Sequence, residues 1–140
     1  MKILLAVDGS NYSKKMLAYL AAHEALLSPD HDYTVFTAQA ALPPRARAAL
    51  GKEVVDSYYQ DESAKVLLPV QKFLQRHGIT AKSSTKVGSA GPAIAKLAEQ
   101  GRFDLVVLGS HGHSALGNLV MGSVATQVLA ECKVPALLVR

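Results

Sequence analysis

Five short runs of apolar or β-branched residues alternate along the chain with segments of helical periodicity. The runs predict strands over residues 2–7, 33–40, 80–87, 103–108 and 134–139. The segments between them predict helices over residues 11–28, 53–77 and 118–131, with a short helix between Pro92 and Gly101. Strands that alternate with helices are typical of a parallel sheet covered on both faces. The sequence therefore predicts an α/β fold, a three-layer α/β/α sandwich around a five-stranded parallel sheet.

Local signals set the expected limits and faces of the first helix. Ser10 or Ser13 is expected to cap its start, and the Ser-Pro-Asp sequence of residues 28–30 to end it. The residues predicted on its inner stripe are Leu17, Leu20, Ala21 and Leu27.

The later helices carry expectations of their own. Pro69 is expected to kink or break the long helix near residues 65–69, because proline removes one backbone hydrogen bond. Residues 41–52 contain two prolines and predict a loop that leaves room for a short helical turn. This segment carries three basic residues, Arg45, Arg47 and Lys52. We favour a solvated connection, and the alternative is that these residues form a basic lid over a ligand. The inner residues predicted for the last helix are Met121, Val124, Ala125, Val128 and Leu129.

Composition limits the classes of function. A chain of 140 residues with 49% hydrophobic content suits one domain, residues 1–140. No apolar run approaches the roughly 18 residues of a membrane span. The N-terminus lacks the pattern of a signal peptide, and the single cysteine, Cys132, forms no intrachain disulfide. These features predict a cytoplasmic protein. The net charge is +4, and the lysines and arginines are scattered along the chain, which argues against nucleic-acid binding.

Residues 109–123, GSHGHSALGNLVMGS, connect the fourth predicted strand to the last helix through glycines. The spacing is Gly109-x2-Gly112-x9-Gly122-Ser123. Glycine lets backbone amides approach a ligand closely, and a strand that opens through glycines into a helix is a common phosphate site. The spacing matches neither a Walker loop nor a dinucleotide fingerprint.

This G-x2-G-x9-G-S/T pattern resembles the nucleotide-binding signature of the universal stress protein family. The opening KILLAVDGS resembles that family's first strand and its aspartate loop. The segments DLVVLGSHGHS and GSVATQVLAECKVPALLVR resemble its closing half. The resemblance covers both ends of the chain. It implies strand order 3-2-1-4-5, the adenine nucleotide alpha hydrolase-like arrangement, and a role in the stress response.

In that order strands one and four are neighbours, and the direction of connection reverses between them. Ligands of open α/β sheets bind at such a switch point, at the carboxyl ends of the strands. Asp8 follows strand one and Gly109 ends strand four. Loop chemistry and implied topology thus predict one crevice, bounded by these two residues.

The ligand that the resemblance implies is ATP, possibly with Mg²⁺ held through Asp8 and Ser123. We expect backbone amides around Gly112, Gly122 and Ser123 to hold the phosphates. The family's aspartate is a ribose or metal contact, which carries over to Asp8. The remaining predicted contacts are Ala38 for adenine, Val7, Leu108 and Val124 as walls for base and sugar, and Gly109 and His111 in the binding loop.

The binding loop departs from many relatives at one position. They carry arginine or lysine just after the second glycine, where this chain has His113, and residues 109–123 contain no lysine or arginine. Imidazoles change charge between about pH 5 and 8. Phosphate affinity is therefore expected to rest on amides, and to be weaker than in a relative with a basic loop or more dependent on pH.

Two classes of function stay open, with a third disfavoured. An ATP-binding regulatory module is favoured over a slow ATPase or phosphotransferase, since no carboxylate is obviously placed to activate water. A member that acts only through protein–protein contacts is disfavoured because every glycine of the motif is present. A histidine metal site, a serine triad, a phosphoacceptor receiver and a flavin site fit the residues less well. The last strand, 134–139, is apolar at a predicted sheet edge, and the family commonly forms homodimers there.

Overall fold

The structure, a computed structural model, describes residues 1–113 and 120–140. Within these residues the strands are β1 (Lys2–Ala6), β2 (Asp32–Gln39), β3 (Lys82–Val87), β4 (Leu105–Gly109) and β5 (Ala136–Val139). The helices are α1 (Asn11–Ala21), α2 (Pro44–Leu50), α3 (Lys52–Arg76), α4 (Ala90–Gln100) and α5 (Ser123–Glu131). All five predicted strands are present, each at least one residue shorter than predicted except β2.

The strands form one parallel sheet in the order β3-β2-β1-β4-β5. This confirms the predicted topology. In the register, Ala6 at the end of β1 lies opposite Phe36 of β2 and Leu108 of β4. The loops after β1 and β4 therefore leave the sheet side by side, at the predicted switch point.

The two faces of the sheet bury separate cores. Side chains alternate along β1, so Ile3 and Leu5 enter the core beneath α1 and α3, whereas Leu4 and Ala6 enter the core beneath α4 and α5. Leu4 and Leu5 are fully buried. Truncating either to alanine would cost about 2–5 kcal/mol of unfolding free energy. β1 is apolar throughout because both of its faces are covered.

Helix α1 ends at Ala21, so the prediction that it extends to residue 28 is wrong. A tight turn follows, in which the amides of Leu26 and Leu27 both donate to the His23 carbonyl. The buried Tyr33 holds this turn because its hydroxyl donates to the Leu26 carbonyl and accepts from the Ser28 amide. Burial raises the pKa of Tyr33, and the Ser28 amide opposes that rise.

The long helix α3 runs unbroken from Lys52 to Arg76 through Pro69, so the predicted break does not occur. Leu67, Val70 and Leu74 on either side of the proline are buried against the sheet, and this packing holds the helix. The helix ends as predicted near Gly78, whose φ of +73° is favourable only for glycine.

The segment predicted as a loop contains the seven-residue helix α2, with Pro44 as its first residue. Proline is compatible with that position because the first helical amide has no intrahelical acceptor. Helix α2 has no buried residue. The loop before it is tied to α3 by the Leu42 amide, which donates to the Tyr59 hydroxyl.

The last helix begins at Ser123, so the prediction that residues 120–122 are helical is wrong. Residues 118–119 of the predicted helix lie outside the described residues. Ala125 and Val128 are buried as expected, and Met121 and Val124 are partly buried. Leu129 is 47% exposed, so its predicted inward position is wrong. Across residues 1–113 and 120–140, no helix combines the length and apolar character that a membrane crossing requires.

Candidate functional site

A cavity of about 410 Å³ opens at the carboxyl ends of β1 and β4, between the sheet and the N-terminus of α5. This volume lies within the range of about 300–1,000 Å³ that is typical of small-molecule sites. All ten residues predicted as ligand contacts line it: Val7, Asp8, Ala38, Leu108, Gly109, His111, Gly112, Gly122, Ser123 and Val124. The structure therefore brings the predicted set together, and their contacts with a ligand stay a prediction.

Asp8 is held in a fixed orientation at one side of the cavity. Its Oδ1 accepts hydrogen bonds from the Ser10 amide and the Ser13 hydroxyl, each at 2.9 Å. The Asp8 amide in turn donates to Ser13 Oγ at 3.0 Å. Gly9, with φ +77°, makes the sharp turn that brings the start of α1 back onto the carboxylate.

The other carboxylate oxygen of Asp8 faces the glycine loop. A Cβ atom placed on Gly112 would lie 2.7 Å from Asp8 Oδ2, so only glycine fits there without moving the carboxylate. His113 crosses from the same loop, and its Nε2 donates to the Asp8 carbonyl at 2.6 Å. The loops after β1 and β4 therefore meet at Asp8.

The first residues after β4 pack closely on α1. A Cβ atom on Gly109 would lie 2.7 Å from Tyr12 Cβ, which explains the glycine at the end of the strand. His111 Nδ1 lies 2.9 Å from the hydroxyl of the buried Ser110, and its ring centroid lies 4.9 Å from that of Tyr12. These contacts fix the loop at the cavity wall.

Gly122 joins the glycine loop to α5. Its amide donates to the Ser110 carbonyl at 2.7 Å and is thereby engaged within the protein. This differs from the expectation that the Gly122 amide is a spare donor. Gly122 is also the N-cap residue of α5. A Cβ atom on Gly122 would lie 3.1 Å from His111 Cα, so the residue permits close backbone packing.

The amides that α5 leaves available are those of its first three residues, Ser123, Val124 and Ala125. The first turn of a helix has no intrahelical acceptor for these donors. In the described chain they donate to no backbone carbonyl, and no side chain caps the helix. All three residues line the cavity. Donors of this kind, with the helix dipole, attract an anion.

The inner wall of the cavity is apolar. Besides the predicted Ala38 and Leu108, it includes Phe36, Ala90 and Ile94, which the sequence reasoning missed. Phe36 and Ile94 are also members of the core. Only the register between β2 and β1 and the placement of α4 show that they reach the cavity.

The charge of the described lining is small. Its titratable side chains are Asp8, His111 and His113, and neither lysine nor arginine lines the cavity in the part of the chain that the structure describes. Arg45, Arg47 and Lys52 are absent from this lining, which gives no support to the basic lid. Within the same residues, no group of three histidine, cysteine or carboxylate side chains is arranged to hold a metal ion.

Comparisons with known proteins agree with this geometry. A sequence profile described as the universal stress protein family matches residues 1–140. The chain belongs to the universal stress protein family. The universal stress protein Slr1230 of Synechocystis sp. is 33% identical over 140 residues, which are 99% of this chain and 42% of Slr1230. The chain therefore spans less than half the length of that relative.

Solved structures of other universal stress proteins share the fold. MJ0577 of Methanocaldococcus jannaschii superposes with a TM-score of 0.82 at 24% identity, covering 99% of this chain and 94% of MJ0577. A universal stress protein in complex with cAMP gives a TM-score of 0.69 at 23% identity, with coverage of 100% and 97%. The Archaeoglobus fulgidus protein in complex with dAMP gives 0.66 at 17% identity, with coverage of 100% and 98%. At these identities the likeness shows the fold.

Proposed function

We propose that this universal stress protein is a regulatory module of the stress response that binds an adenine nucleotide in the cavity, with ATP as the predicted ligand. The observation that carries the proposal is that ten residues chosen from the sequence line a single cavity at the switch point of the sheet. Family members of the same fold hold cAMP and dAMP, which supports an adenylate as the ligand class. The proposed domain is the whole of residues 1–140, acting in the cytoplasm.

The lining suggests how the nucleotide would lie. The apolar wall at Phe36, Ala38 and Leu108 suits the base, and the carboxylate of Asp8 suits a ribose hydroxyl, which supplies it with a donor. Like charges repel, so the phosphates would lie away from Asp8, at the amides of residues 123–125. A Mg²⁺ ion carried by the phosphates would offset this repulsion, and Ser123 and Asp8 are the residues that would hold it.

Binding is favoured over hydrolysis. The cavity's only carboxylate in the described residues is Asp8, and its Oδ1 already accepts two hydrogen bonds. No lysine or arginine of the described lining stabilises a transferred phosphoryl group. The test is to denature the purified protein after incubation with ATP and Mg²⁺ and to identify the released nucleotide. Intact ATP supports a binding module, whereas ADP at one equivalent per chain supports a slow ATPase.

A homodimer through residues 134–139 is the second part of the proposal. β5 lies at the edge of the sheet, and its residues Ala136, Leu137 and Leu138 are half-buried. The carbonyl of Pro135 accepts from the Val106 amide of β4, and that of Val139 accepts from the Ser110 amide just after β4. The backbone groups of Ala136 therefore point to the free edge. Unpaired edges of this kind invite pairing with a second copy.

Light scattering after size exclusion should therefore give twice the chain mass at micromolar concentration. Ala136→Pro removes a free-edge donor and should yield monomer. Ser83→Pro makes the same change at the opposite edge, on β3, and should leave the dimer intact. A wild-type monomer, or equal behaviour of the two variants, would contradict pairing through β5.

A further inference from the structure

The hydroxyl of Ser13 is used entirely by Asp8. It donates to Asp8 Oδ1 at 2.9 Å and accepts from the Asp8 amide at 3.0 Å. Ser13 is only 6% exposed although it lines the cavity, and it caps no helix, because the N-cap residue of α1 is Ser10. A buried hydroxyl on the first turn of α1 therefore fixes both the backbone and the carboxylate of one residue.

This arrangement makes the two oxygens of the carboxylate unequal. Oδ1 is occupied by the Ser13 hydroxyl and the Ser10 amide. Oδ2 lies on the side of Gly112, whose missing Cβ leaves the space open. An ionised carboxylate accepts through both oxygens and donates through neither. Oδ2 is therefore the acceptor that remains for a group entering the cavity.

We propose that Ser13 is a positioning residue that gives the site its selectivity for a ribose bearing hydroxyl groups. The inference rests on the proposed nucleotide function. With Ser13 in place, Oδ2 is held towards the cavity and meets a ribose hydroxyl without a prior ordering cost. Without the Ser13 hydroxyl, Oδ1 keeps only the Ser10 amide, and the carboxylate rotates more freely. The resulting loss of affinity then affects only ligands that carry a ribose hydroxyl.

The experiment compares ATP with 2′,3′-dideoxy-ATP, which carries the same base and phosphates but neither ribose hydroxyl. Wild-type protein is expected to prefer ATP by about tenfold or more, since a hydrogen bond to a charged group is at stake. Ser13→Ala should reduce that preference to about threefold or less while changing the affinity for the dideoxy ligand by less than about twofold. Both dissociation constants are measured by calorimetry.

Ser10→Ala is the matched control. The Ser10 hydroxyl is buried and has no hydrogen-bond partner within the described residues, while the bond from its amide to Asp8 does not depend on the side chain. This variant should keep the wild-type preference. Ser13→Cys fills the space of serine with a weaker donor and should lose the preference as alanine does, which provides a test if Ser13→Ala unfolds.

The outcomes separate the inference from the function on which it rests. If Ser13→Ala or Ser13→Cys weakens both ligands by the same factor, Ser13 is merely structural and the inference is overturned. Equal wild-type affinity for the two ligands also overturns it. If wild-type protein binds neither ligand, it is the nucleotide function that fails.

Discussion

Replacing Gly122 with valine is expected to weaken ATP binding at least a hundredfold. The Cβ atom would lie 3.1 Å from His111 Cα and 3.2 Å from the Ser110 carbonyl oxygen. Both are backbone atoms, so no side-chain rotation relieves the contact, and the two γ-methyl groups add to it. The loop that carries His111 and Gly112 would be pushed from its place, and the hydrogen bond from the Gly122 amide to Ser110 would be stretched.

A graded series gives this prediction its control. Gly122→Ala adds a single carbon and should weaken binding only several-fold, because neighbours can yield by a few tenths of an ångström. Ala130→Val adds two carbons to the exposed face of the same helix, away from the cavity lining, and should leave affinity unchanged. Calorimetry gives the affinities, and thermal unfolding verifies that each variant is folded. A folded Gly122→Val protein that binds ATP within about threefold of wild type would contradict the packing argument.

The second large effect is expected at Asp8, where alanine and asparagine should separate binding from stability. Asp8→Ala removes the ribose acceptor and also leaves the Ser10 amide and Ser13 hydroxyl without their acceptor. Affinity for ATP should fall about 10- to 100-fold, and the unfolding free energy by about 1–3 kcal/mol.

Asp8→Asn should lose affinity with much less loss of stability. Its amide oxygen can take the place of Oδ1 and accept from the start of α1, while its nitrogen replaces the acceptor Oδ2. Chemical denaturation and calorimetry on the two variants measure the two effects. If Asp8→Asn binds ATP as wild type does, the carboxylate is not the ribose contact.

The α/β architecture was predictable because it depends on patterns local to each strand, whereas the strand order was implied by the family resemblance. β1 and β4 are continuous apolar runs, as strands buried on both faces must be, and the residues that follow them are Asp8 and the glycine loop. The parallel alternation with helices, together with the family resemblance, then places those two loops side by side. This prediction needs no knowledge of contacts between side chains that are far apart in the sequence.

The parts that failed depend on contacts between distant residues. The end of α1 is set by Tyr33, which lies on the next strand and bonds to the turn at Leu26 and Ser28. The continuity of α3 through Pro69 depends on burial of Leu67 and Val70 against the sheet. A sequence pattern shows the Ser-Pro-Asp signal and the proline. It does not show the contacts of Tyr33 that end α1 earlier, or the packing that keeps α3 continuous through Pro69.

The detail of the site was beyond sequence reasoning because it depends on the local path of the backbone. Ser13 reaches Asp8 only because Gly9 turns the chain through φ +77°. From the sequence, Ser13 was a candidate helix cap only. The engagement of the Gly122 amide with Ser110 likewise depends on how the glycine loop packs. Both are consequences of backbone geometry rather than of residue type.

The central claim is that main-chain amides at the start of α5 hold the phosphates of an adenine nucleotide, while its ribose lies at Asp8, beside Gly112. The most direct measurement is titration of ¹⁵N-labelled protein with ATP and Mg²⁺, followed by amide chemical shifts. We predict saturable shifts that are largest at Gly112 and residues 123–125. The account would be contradicted if adenylate at millimolar concentration shifted none of these amides, or shifted only amides elsewhere in the chain.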